Sequence, residues 1–307
     1  MTGTVVKVFG RYYTIEYNGQ RLNSVLRGRM RKDAGLERYS EAVAVGDVVE
    51  FNPENGRIGA IEGVCERKNV FGRKYKEDAR EDIIASNLDQ IIVIQSFRRP
   101  RVNQRFVDRL LVRGRKESIP TLLCMNKLDL AGQNDLEDIY AYYKGYDLDI
   151  FTISAKTGGG LSGLASRLAD KLSILVGNSG VGKSSIINAL YPGFDLRTRE
   201  ISESTGKGRH ATTNVEMFRM ENNTRIIDTP GLREFGLPDI KPHELGGYFM
   251  EFSRHAKQCG FQPCTHDHEP GCAVKKRVEK GIIPEERYVS YLNILYSLKE
   301  YYNHRYR

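Results

Sequence analysis

The stretch Gly177-Asn178-Ser179-Gly180-Val181-Gly182-Lys183-Ser184 fits the pattern G-x-x-x-x-G-K-[ST] of a phosphate-binding loop. Glycines at these positions let the backbone curl, so that successive N–H groups point towards phosphate oxygens. Lys183 can reach the β- and γ-phosphates of a nucleotide, and the Ser184 hydroxyl can ligate Mg²⁺. Residues 173–176 read as a buried strand that enters the loop, and residues 184–190 as a helix that leaves it. The stretch therefore predicts a nucleotide site at a strand–loop–helix junction.

Strand and helix patterns alternate on the amino-terminal side of this loop. Residues 90–94 form a continuous apolar run, as in a parallel strand that is buried on both faces. Further strands are predicted over 120–125 and 147–152, and helices over 103–115 and 161–172. The alternation predicts a doubly wound α/β domain over residues 88–235.

Three short motifs each come directly after a predicted strand of this domain. Asn126-Lys127-Leu128-Asp129 ends in a carboxylate that can accept hydrogen bonds from N1–H and the exocyclic amine of guanine, a donor pair that adenine lacks. In Ser154-Ala155-Lys156, the Ala155 amide can meet the guanine O6. Asp228-Thr229-Pro230-Gly231 offers a carboxylate to Mg²⁺ through a water and the Gly231 amide to the γ-phosphate. Together with the phosphate loop, these motifs predict a GTPase.

The motifs stand in an unusual order, because both base-reading motifs precede the phosphate loop. An ordinary GTPase begins with that loop, but a circularly permuted chain builds the same site, since the termini of compact domains often lie close together. Gly231 belongs to a loop that senses the γ-phosphate, and the permutation makes the carboxyl-terminal domain follow this loop directly. We therefore expect the nucleotide state to bias the position of that domain. The predicted nucleotide-binding residues are Asn126, Lys127, Asp129, Ser154, Ala155, Lys156, Gly177, Asn178, Ser179, Gly180, Val181, Gly182, Lys183, Ser184, Ser185, Asp228 and Gly231.

The amino-terminal part of the chain has a different pattern. Residues 1–66 contain five short strand-like segments with turn signals between them, which predicts a small barrel of the OB type. Basic residues cluster around one strand and loop of this barrel, and tyrosines near them are candidates for stacking on nucleic-acid bases. Residues 67–87 are polar and basic and are predicted to be a linker. The basic residues are Arg21, Arg27, Arg29, Arg31 and Lys32, and the tyrosines are Tyr12, Tyr13 and Tyr39.

Composition restricts the class of protein. The 307 residues carry a formal net charge of +8 and have a pI of about 9.1, which suits a polyanionic partner such as RNA. There is no apolar run long enough to span a membrane, and residues 1–7 lack the apolar core of a signal peptide. Five cysteines, an odd number, argue against a disulfide framework and for a reducing compartment, so a cytoplasmic location is expected.

A cluster of metal-ligand residues lies near the carboxyl terminus. Cys259, Cys264 and Cys272 fall within fourteen residues of each other together with a histidine. Thiolates and imidazole suit tetrahedral Zn²⁺, and four protein ligands leave no open position for catalysis, so a structural zinc site is predicted. The spacing leaves three histidines open as the fourth ligand: His255, His266 and His268.

These features resemble the circularly permuted, ribosome-associated GTPases of bacteria known as the RsgA/YjeQ family. The resemblance covers essentially the whole chain and includes Ser86-Asn87-Leu88-Asp89-Gln90 and Gly208-Arg209-His210-Ala211-Thr212-Thr213, where Ala211 departs from the usual threonine. It implies an OB barrel (1–66), a GTPase domain (88–235) and an α-helical zinc domain (236–307).

The resemblance also implies roles for particular residues. It selects His266 as the fourth zinc ligand, gives Thr212 a place beside Ser184 at Mg²⁺, and suggests His210 as the group that orients the attacking water. The implied activity is slow GTP hydrolysis, stimulated by the small ribosomal subunit during its late maturation. The implied partners are that subunit and its rRNA, bound by a monomer that does not contact membranes.

Two other functions fit parts of the sequence. A P-loop kinase or ATPase acting on a small molecule would share the phosphate loop, but Asn126-Lys127-Leu128-Asp129 favours guanine. A zinc-dependent RNA-binding protein that holds nucleotide without hydrolysing it would share every motif. Nucleotide competition separates the first from a GTPase, and multiple-turnover hydrolysis separates the second.

Overall fold

The computed structural model describes residues 1–27, 39, 41–53, 59–73, 81–193, 215–228, 236–237 and 240–305. The strands are β1 (Thr2–Phe9), β2 (Tyr12–Tyr17), β3 (Gln20–Leu26), β4 (Val48–Asn52), β5 (Gly59–Val64), β6 (Val70–Arg73), β7 (Asp82–Ser86), β8 (Gln90–Ser96), β9 (Thr121–Asn126), β10 (Ile150–Thr152), β11 (Leu172–Val176), β12 (Val215–Arg219) and β13 (Arg225–Asp228). The α-helices are α1 (Gln104–Lys116), α2 (Asp135–Tyr142), α3 (Leu161–Leu168), α4 (Lys183–Leu190), α5 (Met250–Ala256), α6 (Ala273–Glu279) and α7 (Glu285–Arg305). Short 3₁₀ helices cover Leu128–Leu130 and Pro242–Tyr248.

The first five strands form a closed barrel. Strand β1 pairs with β2, β2 with β3, β3 with β5, β5 with β4, and β4 returns to β1. Alternate side chains point inwards, as the period of two in a strand requires, and they form a separate core that includes Val5, Ile15, Phe51 and Ile61. The predicted OB barrel is therefore confirmed.

The central domain is a mostly parallel sheet with the strand order β10-β9-β8-β11-β13-β12. Every residue of β8 and β11 is buried, because helices cover both faces of the sheet there. Alternate residues of β8 contribute to two hydrophobic cores, one on each face of the sheet. Ile91 and Val93 pack towards α1, whereas Ile92 and Ile94 pack towards α3 and α4. This is the α/β architecture predicted from the alternation of strand and helix patterns.

The sheets of the barrel and of the central domain are continuous. Strand β12 runs antiparallel to β13 on one side and to β1 of the barrel on the other. A second junction uses the buried carboxylate of Asp47, which accepts hydrogen bonds from Arg67 (Nε, 2.7 Å) and from the Ser86 hydroxyl (2.6 Å). The linker predicted over residues 67–87 contains β6 and β7, an antiparallel pair that the sequence pattern did not reveal.

The carboxyl-terminal helices pack on the α1 face of the central sheet. Phe249, Phe252 and Leu295 lie in the same hydrophobic core as Val107 and Leu110 of α1. The zinc domain is thus α-helical, as predicted, and it shares a core with the GTPase domain. None of the described helices combines the length and the apolarity needed to cross a bilayer.

Some predicted element bounds are wrong. The helix predicted over residues 161–172 ends at Leu168, and Leu172 begins β11. Between them Asp170 adopts a positive φ of 58°, which a helix cannot accommodate. Helix α2 was not predicted, because its polar sequence shows little apolar periodicity: Ile139 and Tyr142 are its buried residues.

Candidate nucleotide and metal sites

The motifs meet at one edge of the central sheet. Strands β8, β9, β10, β11 and β13 are parallel, so their carboxyl ends point the same way. Asn126 ends β9, Asp228 ends β13, and the phosphate loop comes directly after β11. In this type of sheet, ligands bind in the crevice outside the carboxyl ends of the strands. The second base motif, residues 154–156, follows β10 at the same edge, so the permuted chain brings both base motifs, the phosphate loop and Asp228 to one place.

Asn126 holds these loops together. Its buried side chain donates a 2.9 Å hydrogen bond from Nδ2 to the Val181 carbonyl of the phosphate loop. Its Oδ1 accepts a 3.1 Å hydrogen bond from the Ala155 amide. One amide group thus joins the first base motif to both the phosphate loop and the second base motif, which fixes their relative positions.

Lys127 makes a second connection to the phosphate loop. The residue adopts a left-handed conformation, with φ of 60°, and its Nζ donates to the carbonyls of Gly180 (2.7 Å) and of Arg99. Arg99 and Pro100 belong to the loop after β8, which sequence reasoning did not assign to the site. The sequence feature that could have identified them is their position immediately after a buried strand of the same sheet.

Asp129 lies at the mouth of the site and is exposed to solvent. Its Oδ1 accepts a 2.6 Å hydrogen bond from the Ser154 hydroxyl, which itself accepts one from the Thr157 amide (3.2 Å). The serine therefore orients the carboxylate without neutralising its charge. Lys156, the last residue of the second base motif, is also exposed.

The phosphate loop has the backbone that its glycines predict. Gly180 and Gly182 have φ values of 82° and 97°, in the region that favours glycine. A Cβ on Gly182 would lie 2.3 Å from Asn126 Nδ2, and a Cβ on Gly177 would lie 2.4 Å from the Ile94 carbonyl oxygen. Close packing therefore requires glycine at both of these positions, and at Gly182 the backbone conformation requires it as well.

The phosphate end of the site carries the positive groups of the loop. Helix α4 begins at Lys183, whose Nζ donates to the Gly177 carbonyl (2.6 Å). Ser184 and Ser185 are next in the first helical turn, where backbone N–H groups and the helix dipole favour an anion. Among the remaining loop residues, Asn178 is half-buried and Ser179 is exposed.

The residues expected at Mg²⁺ are described in part. Asp228 pairs with Leu175 across β13 and β11, so it lies beside the strand that leads into the phosphate loop. Ser184 lies in the first turn of α4, where that loop ends. A hydroxyl and a carboxylate are the oxygen donors that Mg²⁺ prefers, so the two described residues fit that ion. His210, Thr212 and Gly231 lie outside the described residues.

The cysteine cluster forms a second candidate site. The ligand atoms of Cys259, Cys264, His266 and Cys272 all lie within 4.8 Å of one another. His266 Nδ1 is 3.4 Å from the Cys272 sulfur and 3.7 Å from the Cys259 sulfur. Three thiols and one imidazole at these separations match a tetrahedral Zn²⁺ site. The geometry selects His266 over His255 and His268.

Backbone groups and close packing support this cluster. The amides of His266 and Ala273 donate to the sulfurs of Cys264 and Cys259, both at 3.4 Å. A Cβ on Gly246 would lie 2.8 Å from the His266 ring, so this glycine, which sequence reasoning missed, makes room for the imidazole. Burial raises the pKa of the Cys264 thiol to about 12, so the thiolate form depends on a bound cation.

Comparison with known proteins agrees with this arrangement. A family model described as RsgA GTPase matches residues 64–238, more than half of the chain, and one described as RsgA N-terminal domain matches residues 2–61. The chain belongs to the RsgA GTPase family. The curated small ribosomal subunit biogenesis GTPase RsgA of Chlorobaculum parvum is 40% identical, over 98% of this chain and 99% of its own.

Solved structures of RsgA-like proteins have the same fold. YjeQ from Thermotoga maritima superposes with a TM-score of 0.76 at 35% identity, over 97% of this chain and 98% of its own. YloQ, described as a circularly permuted GTPase, gives a TM-score of 0.69 at 28% identity, over 97% and 95%. This RsgA family member is therefore a circularly permuted GTPase.

The barrel of this chain presents fewer stacking candidates than its sequence suggested. Tyr12 is 53% exposed, but Tyr13 and Tyr39 are only 3% and 6% exposed and belong to the core. The guanidinium of Arg67 also covers the Tyr39 ring, at 5.3 Å from its centroid. Tyr13 and Tyr39 are therefore wrong as stacking residues. Arg21 and Arg27 are exposed, whereas Arg29, Arg31 and Lys32 lie outside the described residues.

Proposed function

We propose that this protein hydrolyses GTP to GDP and phosphate as a factor in late maturation of the small ribosomal subunit. The observation that carries the proposal is the position of Asn126, which joins the phosphate loop to the second guanine motif at the edge where ligands bind in such sheets. The partner is inferred from family membership, because the relatives at 36–40% identity are named as small ribosomal subunit biogenesis GTPases.

Base selection rests on the two guanine motifs in this proposal. Asp129, oriented by Ser154, accepts hydrogen bonds from N1–H and the exocyclic amine of guanine. Ala155 donates its amide to O6 once the base arrives. Lys127 holds the phosphate loop through the Gly180 carbonyl. Adenine offers no donor pair for the carboxylate, so ATP is excluded.

The phosphate end carries out the chemical step. The amides of residues 177–185 and the Lys183 ammonium surround the β- and γ-phosphates and stabilise charge on the leaving oxygen. Ser184 and Thr212 would ligate Mg²⁺ and Asp228 would hold it through a water, and the bound ion would neutralise charge on the phosphates. His210 orients the attacking water, and the Gly231 amide contacts the γ-phosphate.

The flanking domains bind ribosomal RNA in this proposal. The barrel contributes Arg21, Arg27 and the exposed Tyr12, while the zinc domain contributes basic residues of α6 such as Lys275 and Lys276. Cys259, Cys264, His266 and Cys272 hold one structural Zn²⁺. The domains span residues 1–66, 88–235 and 236–307. The protein acts as a cytoplasmic monomer.

The test is multiple-turnover hydrolysis of GTP and ATP, with and without purified small subunits, at one fixed salt concentration. We expect slow turnover of GTP by the protein alone, of the order of 10⁻⁴ s⁻¹ as for unaided GTPases. We expect small subunits to accelerate it and large subunits to leave it unchanged. ATP should be neither bound nor hydrolysed.

Each result separates the alternatives. Hydrolysis of ATP at a similar rate would contradict the guanine site. Binding of GTP without turnover in the presence of small subunits would indicate a binding protein and not a hydrolase. Equal stimulation by both subunits would contradict the proposed partner while leaving the GTPase assignment intact.

A further inference from the structure

Three charged residues lie in one row across three strands. Lys7 of the barrel strand β1 pairs with Glu216 of β12 in the antiparallel register. Glu216 pairs in turn with Asp228 of β13. Neighbouring strands lie about 5 Å apart, so the row runs about 10 Å from the barrel to the Mg²⁺ end of the nucleotide site.

All three side chains are on the same face of the sheet. Residues directly opposite each other in antiparallel strands project to the same side. Phe218 and Ile226, two residues from Glu216 and Asp228, pack in the core that contains Ile186 and Ile187 of α4. Because side chains alternate along a strand, Glu216 and Asp228 also project to the α4 side, where the phosphate loop ends.

The barrel supplies the cations that face Glu216. Lys7 Nζ is 2.9 Å from Glu216 Oε2, and Arg21 Nη1 is 3.3 Å from Oε1. The Glu216 side chain is 14% exposed, whereas the Arg21 side chain is 45% exposed. The Lys7 side chain is only 27% exposed, so Lys7 is the less solvated of the two cations. It is also the one that lies in the same row of strand positions as Asp228.

We propose that the Lys7–Glu216 ion pair sets the Mg²⁺ affinity at Asp228, so that the charge of a barrel residue influences metal binding in the GTPase domain. This inference rests on the proposed role of Asp228 in holding Mg²⁺. Glu216 acts through Asp228: it adds negative charge beside the carboxylate that holds Mg²⁺ through a water, and Lys7 limits that charge. Like charges directly opposite each other in a sheet repel, which explains why the chain places a cation beside Glu216.

The proposal predicts effects of opposite sign for the two partners. Glu216→Gln removes a negative charge from the residue directly opposite Asp228 in the sheet and leaves the Lys7 ammonium without that carboxylate, so Mg²⁺ should bind more weakly. Lys7→Met leaves the Glu216 carboxylate less compensated, so Mg²⁺ should bind more tightly. The second effect should be smaller because Arg21 still faces Glu216. A purely structural role would weaken barrel docking in both variants and shift Mg²⁺ affinity in the same direction.

The readout is the release of a fluorescent GDP analogue, titrated with free Mg²⁺, which needs no hydrolysis. We expect the Mg²⁺ concentration at half-effect to rise by about threefold or more in Glu216→Gln and to fall in Lys7→Met. Both shifts should shrink at high salt, because the groups are partly exposed. The double variant should lie between wild type and Glu216→Gln, because loss of the Lys7 charge offsets only part of the loss of the Glu216 charge.

The matched control is Glu62→Gln, which breaks another ion pair of the barrel, the one with Arg27. Arg27 and Glu62 are on the β3–β5 side of the barrel, away from β12, and both are well exposed. This substitution should not move the Mg²⁺ titration. Shifts of equal sign in Lys7→Met and Glu216→Gln, or no shift in either, would overturn the proposal.

The role of Asp228 itself is tested in the same assay. If Asp228→Asn leaves the Mg²⁺ titration unchanged, the proposed role of Asp228 at Mg²⁺ is wrong and this inference is wrong with it. If Asp228→Asn abolishes the Mg²⁺ effect while the Lys7 and Glu216 variants match wild type, only this inference is wrong.

Discussion

Arg287 and Asp108 form a buried ion pair between the carboxyl-terminal helix α7 and the first helix of the GTPase domain, α1. Their side chains are 1% and 0% exposed. Arg287 also donates to Glu251 of α5 (2.6 Å) and lies over the Phe249 ring, at 4.4 Å from its centroid. A nucleotide-driven movement of the zinc domain, as the permutation suggested, would therefore have to carry α1 along or break this pair.

Breaking the pair should be costly. Arg287→Met leaves the Asp108 carboxylate buried without its cation, and removal of one partner of a buried pair typically costs about 3–5 kcal/mol. We expect a loss of this size in urea unfolding. Arg27→Met, which breaks the exposed pair with Glu62, should cost no more than about 1 kcal/mol. Similar losses in the two variants would contradict a docking role for Arg287.

Guanine selectivity should depend on Asp129. A charge-assisted hydrogen bond contributes about 1.5–3 kcal/mol, so Asp129→Asn should weaken GTP binding at least about tenfold. Xanthosine triphosphate should then bind better than GTP, because its 2-oxo group accepts from an amide. Asp138→Asn in α2 removes an exposed carboxylate nearby in sequence and should leave both affinities unchanged. The base-reading role is wrong if nucleotide competition gives Asp129→Asn the wild-type preference.

Zinc content should depend on the four-residue cluster. Cys264→Ala should lose one equivalent of zinc in elemental analysis, and the carboxyl-terminal helices should unfold at a lower temperature. GTP binding should persist, because Cys264 is not among the residues of the nucleotide site. Cys65→Ala, at a half-buried cysteine outside the cluster, is the control and should retain zinc. A Cys264→Ala protein with full zinc content would show that the ligand set is different.

The packing of Gly246 against His266 predicts a separate effect on zinc. Gly246→Ala places a methyl group 2.8 Å from the imidazole, so the ring must shift away from the cysteine sulfurs. Substitutions that disturb the support of a metal ligand typically cost about 10–100-fold in affinity, and we expect a loss of that size in chelator competition. Gly247→Ala meets no atom within 4 Å and should bind zinc normally. Equal affinity in the two variants would remove Gly246 from the zinc site.

The sequence by itself determined the chemistry of this protein. Gly177–Ser184, Asn126–Asp129 and the cysteine cluster are local patterns in which each residue type is required by a phosphate, a base or a metal. The apolar run of β8 likewise indicated a sheet covered on both faces, since each of its residues is buried. Local spacing was enough for these features because the ligands that they serve have fixed geometry.

Tertiary structure decided how the three domains are joined. The polar sequence of residues 67–87 gave no sign of β6 and β7, whose places are set by distant partners such as Arg113, which donates to the Val70 carbonyl (3.0 Å). Tyr13 and Tyr12 are adjacent in sequence, yet one is buried and the other exposed, because the register of β2 in the barrel assigns their faces. Lys7 contacts Glu216, Arg287 contacts Asp108, and Gly246 packs against the His266 ring. The members of each pair are far apart in the chain, and a glycine has no metal-binding chemistry of its own. These contacts are therefore visible only in the folded chain.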